Sequence, residues 1–405
     1  MATATNLLPM RQTQSGASAE TTRLSATLAK VEVHQDPAAI LRDWAELEAI
    51  APASAYQTRA FIIPWMETIG ASRGITPFFV LARDPLGRAV ALLCLGIERH
   101  GPFRVGSFLG GRDSNFNLGL FHPDLSVTRA DLLLLLHAAA KILGPTAPHV
   151  FLLKNQPFAW EDVPNPLALL PHQPSPSFAY ATPLGSTGEK FLATKLSKDT
   201  RKKLRKKEAK LAEFGPVSLI SNETPAAARA ILDTFLAEKI ARCEARSIDV
   251  DFADPAMRAF LERLSYPTDS GAPWVEFYAL KAGDRIVATY AGAMHRNHFS
   301  CMLNSFDLDP EIAKSSPGEL LLMRLIARQC DRGLASFDLG IGEARYKNTY
   351  CDVTIPLFDA IVPIGAAGRL GAALAALRLK AKRMIKHNPK LFAGVSWLRR
   401  ILPGL

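Results

Sequence analysis

The sequence predicts an α/β protein (in the α+β sense) of two tandem units, each a mixed, twisted sheet flanked by helices. Three observations carry that expectation. A strand–turn–strand hairpin occurs twice, about two hundred residues apart, the spacing of an internal duplication. Each hairpin is followed by the same order of strand, polar loop, helix and strand, which reads as a repeated α/β unit. The length of 405 residues suits two domains at roughly 100–200 residues each.

The elements run in chain order. Residues 1–29, "MATATNLLPMRQTQSGASAETTRLSATLA", lack an apolar core long enough for a signal peptide and read as a disordered leader. In residues 76–101, "TPFFVLARDPLGRAVALLCLGIERHG", two β-rich runs flank an Asp-Pro/Gly turn, which predicts the first hairpin. A further strand, the polar loop "GGRDSNFN", the helix "RADLLLLLHAAAKIL" and the strand "HVFLLKN" complete a unit over 30–183. Pro and Gly near 180–186 mark the seam. The second unit, 184–365, opens with "LSKDTRKKLRKKEAKL", a predicted helix. Its hairpin, "WVEFYALKAGDRIVATYAGAMHRN", sets Asp284 to Ala288 against Gly87 to Ala91 of the first. The strand "HFSCMLNSF", a polar loop, the helix "PGELLLMRLIARQCDRG" and the strand "ASFDLG" repeat the order. Residues 366–405 form a basic amphipathic tail. One large α/β domain with chance hairpin similarity is the alternative reading.

Charge is unevenly placed. The net charge is +10, yet residues 195–210 hold nine Lys or Arg against two acids, and the tail holds nine and no acid. The remaining chain, with 30 basic and 36 acidic residues, is acidic, so the basicity belongs to two local surfaces. In the first run Leu196, Thr200, Leu204, Leu211 and Phe214 fall on one helical arc, but Lys207 points into it and Lys203 sits at its edge. That arrangement suits a helix lying partly over a cleft with its amines near a ligand phosphate; a solvated scaffold and an RNA contact remain alternatives. No aromatics interleave the run to stack bases, which makes nucleic acid the less favoured partner. The tail places apolar positions 370, 374, 377, 384 and 385 among five cations and ends in "WLRRIL". It suits an anionic membrane surface or docking on the acidic remainder. Five widely spaced cysteines show no ligand spacing, so the expectation is free thiols in a reducing cytoplasm and no metal. No apolar run is long enough to span a bilayer, and neither a Walker loop nor a dinucleotide fingerprint is present.

Several stretches carry a family resemblance: "LSKDTRKKLRKKEAKLAEFG" and "SSPGELLLMRLI…GLASFDLGIGEARYKNTY" in the second unit, "SFLGGRDSNFN" in the first. With the duplicated element order, the chain resembles tandem GNAT N-acyltransferases of the FemABX-like kind. More narrowly it is similar to the CelD/BcsL acetyltransferases linked to bacterial cellulose biosynthesis. The resemblance covers residues 30–365. It departs at the acyl-CoA loop, where "DPEIAKSSPGELL" replaces the usual Arg/Gln-x-x-Gly-x-Gly/Ala signature. The resemblance implies a donor of acetyl-CoA or another acyl-CoA in the second unit. It also implies an amine or hydroxyl acceptor on a polysaccharide or cell-envelope precursor.

Three stretches supply candidate site residues. Before the helix "PGELL", Ser315, Ser316 and Gly318 leave backbone N–H groups open at a helix N-terminus, and Lys314 adds charge; a pyrophosphate suits such an end, as does an ordinary capped helix. "FDLGIGEARYKNTY" delivers Glu343, Arg345, Tyr346 and Lys347 to a strand's carboxyl end, where open α/β sheets bind ligands. Transfer from a thioester to an amine needs a base and gains from a donor to the departing thiolate. Glu343 suits the first role, Tyr346 the second, and Lys347 the holding of an anionic acceptor; a surface turn with a local ion pair is the plain reading. In "GGRDSNFN", Arg112, Asp113 and Asn115 form a candidate acceptor pocket together with Arg345, or only a turn. His295, His298 and Cys301 have no evident triad or metal partners. The functional expectation is thus an acyl-CoA-dependent N-acyltransferase in the cytoplasm, peripheral at the inner membrane face. An aminoacyl-tRNA-dependent transferase and a non-catalytic subunit of a polysaccharide assembly are the alternatives.

Overall fold

The computed structural model describes residues 27–245, 251–266, 272–388, 390–391 and 394. Residues 1–26 of the expected leader and the "WLRRIL" end of the tail lie outside them.

The first half runs β1 (Lys30–His34), α1 (Leu41–Ile50), α2 (Arg59–Trp65), β2 (Thr76–Arg83), β3 (Ala89–His100), β4 (Phe103–Phe108), β5 (Leu120–Phe121), α3 (Arg129–Leu143) and β6 (Val150–Pro157). The short strands β7 (Ala159–Trp160), β8 (Val163–Pro164) and β9 (His172–Pro174) come next, and then β10 (Ala179–Pro183). The second half runs α4 (Gly188–Lys195), α5 (Lys198–Leu211), β11 (Val217–Ser221), α6 (Pro225–Glu244), α7 (Pro255–Ser265), β12 (Glu276–Ala282), β13 (Arg285–His295) and β14 (His298–Phe306). It continues through α8 (Pro310–Ala313), α9 (Pro317–Asp331), β15 (Ser336–Ile341), α10 (Lys347–Tyr350), β16 (Val353–Ile355), β17 (Leu357–Pro363) and α11 (Gly365–His387).

Local chemistry sets these boundaries. Thr128 caps α3 and shares a capping box with Asp131, while Gly144, at φ +57°, ends it. Thr224 and Asp254 cap α6 and α7, each followed by Pro at the first helical position. Ser197 caps the basic helix α5 by accepting the Thr200 N–H. Both hairpins turn where the sequence places them, with Gly87 at φ +80° and Gly283 at φ +61°.

The two sheets repeat one plan. The first orders β1-β2-β3-β4-β6-β17-β9 and the second β11-β12-β13-β14-β15-β10-β16. In each, a run of antiparallel neighbours is interrupted by one parallel pair, β4/β6 and β14/β15. The expected seam at 183/184 is crossed in both directions. β10, from the end of the first half, pairs with β15 in the second sheet. Conversely β17, from the end of the second half, pairs with β6 in the first. Each half therefore completes the other's sheet.

Among the described residues three apolar clusters form the core. One lies between the halves, where Trp44, Phe61 and Phe79 meet Phe235, Phe260 and Phe277; the Phe61 and Phe260 rings stand edge to face at 5.4 Å. The others lie under α3 and under α9 with α4 and α5. In α5 Leu204 and Leu211 are buried. Lys207, which the helical arc placed on the same side, meets Glu319 of the first turn of α9 at 3.0 Å, so an ion pair explains a cation on the docking face.

α11 is not a loose tail. Its Gly368 and Gly371 are buried against the first sheet's strands. A Cβ at Gly368 would stand 2.0 Å from the His149 carbonyl oxygen, so only glycine allows this approach.

Candidate active site

The second sheet opens where its parallel neighbours part. β14 and β15 pair over His298 to Ser300 with Ser336 to Asp338 and no further. The closed end is fastened by Asp338, which is fully buried. Its carboxylate accepts from the Ser300 hydroxyl (2.6 Å) and the Gly340 N–H (2.7 Å) and meets His298 Nε2 at 2.7 Å. The other ring nitrogen of His298 meets Ser336 Oγ at 2.5 Å. His298, which showed no partners in the sequence, thus has two, and the group holds β14 to β15.

Beyond that point a register shift opposite Ala291 and Gly292 leaves Met302 as a bulge in β14, and the first half reaches in. Asn115 donates to the Cys301 carbonyl (3.1 Å) and the Tyr56 hydroxyl (2.7 Å), and its oxygen accepts the Ile341 N–H (3.2 Å). One side chain therefore bridges both separating strands. Gly340 makes room for it: a Cβ there would lie 2.4 Å from the Asn115 amide nitrogen, and its φ is +68°. Lys347, buried, donates to the carbonyls of Gly340 (3.1 Å) and Ile341 (3.0 Å) and lies over the Tyr180 ring. Burial pushes its ammonium pKa down, with Asp338 opposing. Its hydrogen bonds go to the end of β15, where an anion-holding role was expected.

Tyr346 packs half-buried at the open end, beside Tyr290 and Asn304. Asn304 Nδ2 donates to the Tyr290 hydroxyl at 3.2 Å. Burial raises the pKa of both phenols, so they are neutral donors at physiological pH. On the other side of β14 the next residue, Ser305, donates to Glu238 of α6 and shares a 2.6 Å hydrogen bond with Thr289. Burial pushes the Glu238 carboxyl up to about 7, against the Ser305 hydrogen bond. Glu343, expected as the base, is placed otherwise. Its carboxylate meets Lys386 of α11 at 2.5 Å and accepts the Phe178 N–H. Burial raises this carboxyl, but the ammonium and the backbone donors outweigh it and hold the group below the usual carboxylate range.

The α9 N-terminus stands beside the same strand. Ser316 precedes the helix in the left-handed region, at φ +49°, and makes no side-chain cap. Gly318, at the second helical position, has no intrahelical carbonyl for its N–H, and a Cβ there would meet only Phe306 of β14, at 3.7 Å. Ser315 is buried with its hydroxyl unpartnered. Lys314 is exposed and paired to Glu311 at 2.5 Å, and α5 brings Lys207 to Glu319. An uncapped helix end with open N–H groups suits an anionic group such as a pyrophosphate, while both neighbouring cations are paired with acids in this structure.

The other candidates do not converge there. Asp113 accepts from Trp65 Nε1 (2.9 Å) and Arg73 (3.1 Å). Arg112 lies across from Asp251 at 2.5 Å. It lines, with Arg73, Asn117 and Lys154, a cavity of about 320 Å³ at the first half's own parallel split. Arg345 is exposed. A groove of about 720 Å³ runs past Arg324 and Arg328 of α9 and Arg332 just beyond its end, away from the open split. Among the described residues, no group of three or more His, Cys, Asp or Glu could hold a metal. All five cysteines are free.

Residues 198–348 match the family described as Acetyltransferase (GNAT) domain, which spans β11 to β15 and the split between β14 and β15. No curated protein matches the sequence. Among solved structures the chain is similar to FemX, at 10% identity and a TM-score of 0.53 over 82% of this chain and 97% of that one. It is also similar to a conserved protein of unknown function from Bacteroides thetaiotaomicron (14%, TM-score 0.51, 82% and 99% covered). A tandem GNAT protein from the clavulanic acid biosynthesis pathway aligns at 11% and TM-score 0.47, covering 83% and 99%. The first two share the fold. The chain therefore carries, over residues 198–348, a GNAT-type acetyltransferase domain, the domain of an acyltransferase, within a mixed α/β fold of two matching halves.

Proposed function

We propose that the chain transfers an acyl group from acyl-CoA to an amine, with the donor laid along the open end of the β14–β15 split and its pyrophosphate at the N-terminus of α9. The observation that carries this reading is the coincidence, inside the matched domain, of a parted parallel strand pair and an uncapped helix end. The acceptor class, a sugar amine on a polysaccharide or cell-envelope precursor, rests on the sequence resemblance to CelD/BcsL acetyltransferases.

Tyr346 and Glu238 stand on opposite faces of β14, beside Asn304 and Ser305 respectively, so the acyl group has to reach through the open end of the split for both to act on it. The acceptor ammonium gives its proton to the Glu238 carboxylate, and the neutral amine adds to the thioester carbonyl. The C–S bond then breaks, the Tyr346 hydroxyl protonates the departing thiolate, and the extra proton left on the new amide nitrogen passes to the tyrosinate, restoring it, while Glu238 releases its proton to solvent. The products are an amide and free CoA. A group ionising near 7 can take up and release a proton at working pH.

The test is release of CoA thiol from acetyl-CoA in the presence of amino-sugar acceptors. Tyr346→Phe is expected to lower turnover by about 10²-fold with donor affinity unchanged; wild-type turnover in that variant would remove Tyr346 from the chemistry. One observation favours a second reading. The outer face of α5 presents Lys198, Lys202, Lys203, Arg205 and Lys206 without a hydrogen-bond or ion-pair partner among the described residues, as an aminoacyl-tRNA donor would need. No response to acyl-CoA, together with protection of α5 by tRNA, would select it.

A further inference from the structure

α11 has a second face, and nothing among the described residues covers it. The side toward the protein is built of small residues, with Gly368 and Gly371 buried. On the far side Leu370, Leu374, Leu377 and Met384 are 59%, 40%, 65% and 64% exposed. At 100° per residue these four fall within an arc of about 80°. An apolar stripe of this kind is ordinarily buried.

Its borders are cationic. Arg378 lies along one edge, Arg369 and Lys380 along the other, and none of the three has a hydrogen-bond or ion-pair partner among the described residues. The helix carries no acid from Gly365 to His387. A second copy of the same stripe would bring these cations against like charges. An anionic bilayer matches both features, since it takes the leucines into its interfacial layer and sets the cations among its headgroups. No helix among the described residues is long and apolar enough to cross a membrane, so the contact is one of lying on the surface.

The helix also touches the candidate site. Lys386 bonds Glu343 and the Ser177 hydroxyl, both at 2.5 Å, and Arg383 donates to the Ser175 carbonyl. A bilayer seated on α11 would therefore lie one helix away from the loop that carries Tyr346.

We propose that α11 is a bilayer-docking helix, with the Leu370–Leu374–Leu377–Met384 stripe seated in an anionic membrane surface. The inference does not depend on the identity of the acyl donor.

The test uses the full-length protein and vesicles of phosphatidylcholine alone or mixed with phosphatidylglycerol. Wild type should cosediment with the mixed vesicles, weaken with added salt, and leave pure phosphatidylcholine largely unbound. Leu370→Gln, Leu374→Gln and Leu377→Gln combined should reduce binding by about tenfold or more. Their exposure means that the melting temperature should hold. Binding by the triple variant equal to wild type would overturn the proposal, as would equal binding to both vesicle types. A wild-type dimer that the triple variant converts to monomer, without vesicle binding in either, would make the stripe a contact between copies and overturn it as well.

Discussion

Two glutamates are candidates for the proton acceptor, and their neighbours separate them. Glu343 is held as a carboxylate by Lys386, so it has little affinity for the proton it would have to take. Glu238 is raised by burial to about 7 and bonded by a hydroxyl next to the split. Glu238→Gln is expected to lower turnover by about 10²–10⁴ and to remove the limb of the pH–rate profile that rises through about 7; Glu343→Gln should keep that limb. The same group affects stability. Unfolded, it loses its proton near 4.5, whereas folded it keeps it to about 7. Its contribution is full at low pH and is lost as pH rises through that window. A Glu238→Gln variant whose activity profile and unfolding free energy match wild type from pH 5 to 8 would exclude it. Nothing in "FLAEKIARCEARS" marks this glutamate, because its partner Ser305 is distant in sequence. The position of Tyr346 just beyond β15 was legible, since two glycines mark the strand end that delivers it. The surroundings of Glu343 were not, because Lys386 belongs to a helix that the sequence assigned to a tail.

At the scale of elements, the hairpins, the capped helices and their order arise from turn and cap residues that act locally, and these were readable. The split between β14 and β15 was not. It depends on Asn115, which comes from a polar loop of the other half and substitutes for missing ladder bonds at Cys301 and Ile341. Asn115→Ala should leave those two backbone groups unpartnered and cost about 1–3 kcal/mol, the usual desolvation penalty, seen as a lower midpoint in urea. Unchanged stability would mean that the strands close or hydrate without help. Lys207 is a related case: its place on the apolar arc of α5 suggested a ligand, and Glu319 supplies the charge in this structure.

At the scale of the molecule, the duplication was visible but the exchange of strands was not. Local patterning identifies β10 and β17 as strands, yet says nothing about which sheet receives them. That choice shows only in the folded pairing, β10 with β15 and β17 with β6. The exchange and the shared core bring the polar loop of the first half to the split of the second. The placement of a donor at that split is the central claim, and isothermal titration with acetyl-CoA tests it most directly. Wild type should bind at one site. Gly318→Val should fold normally, since its Cβ meets only Phe306 at 3.7 Å, and should lose binding, because the added methyls obstruct the N-terminus of α9. No binding by wild type, or equal binding by the variant, would contradict the account.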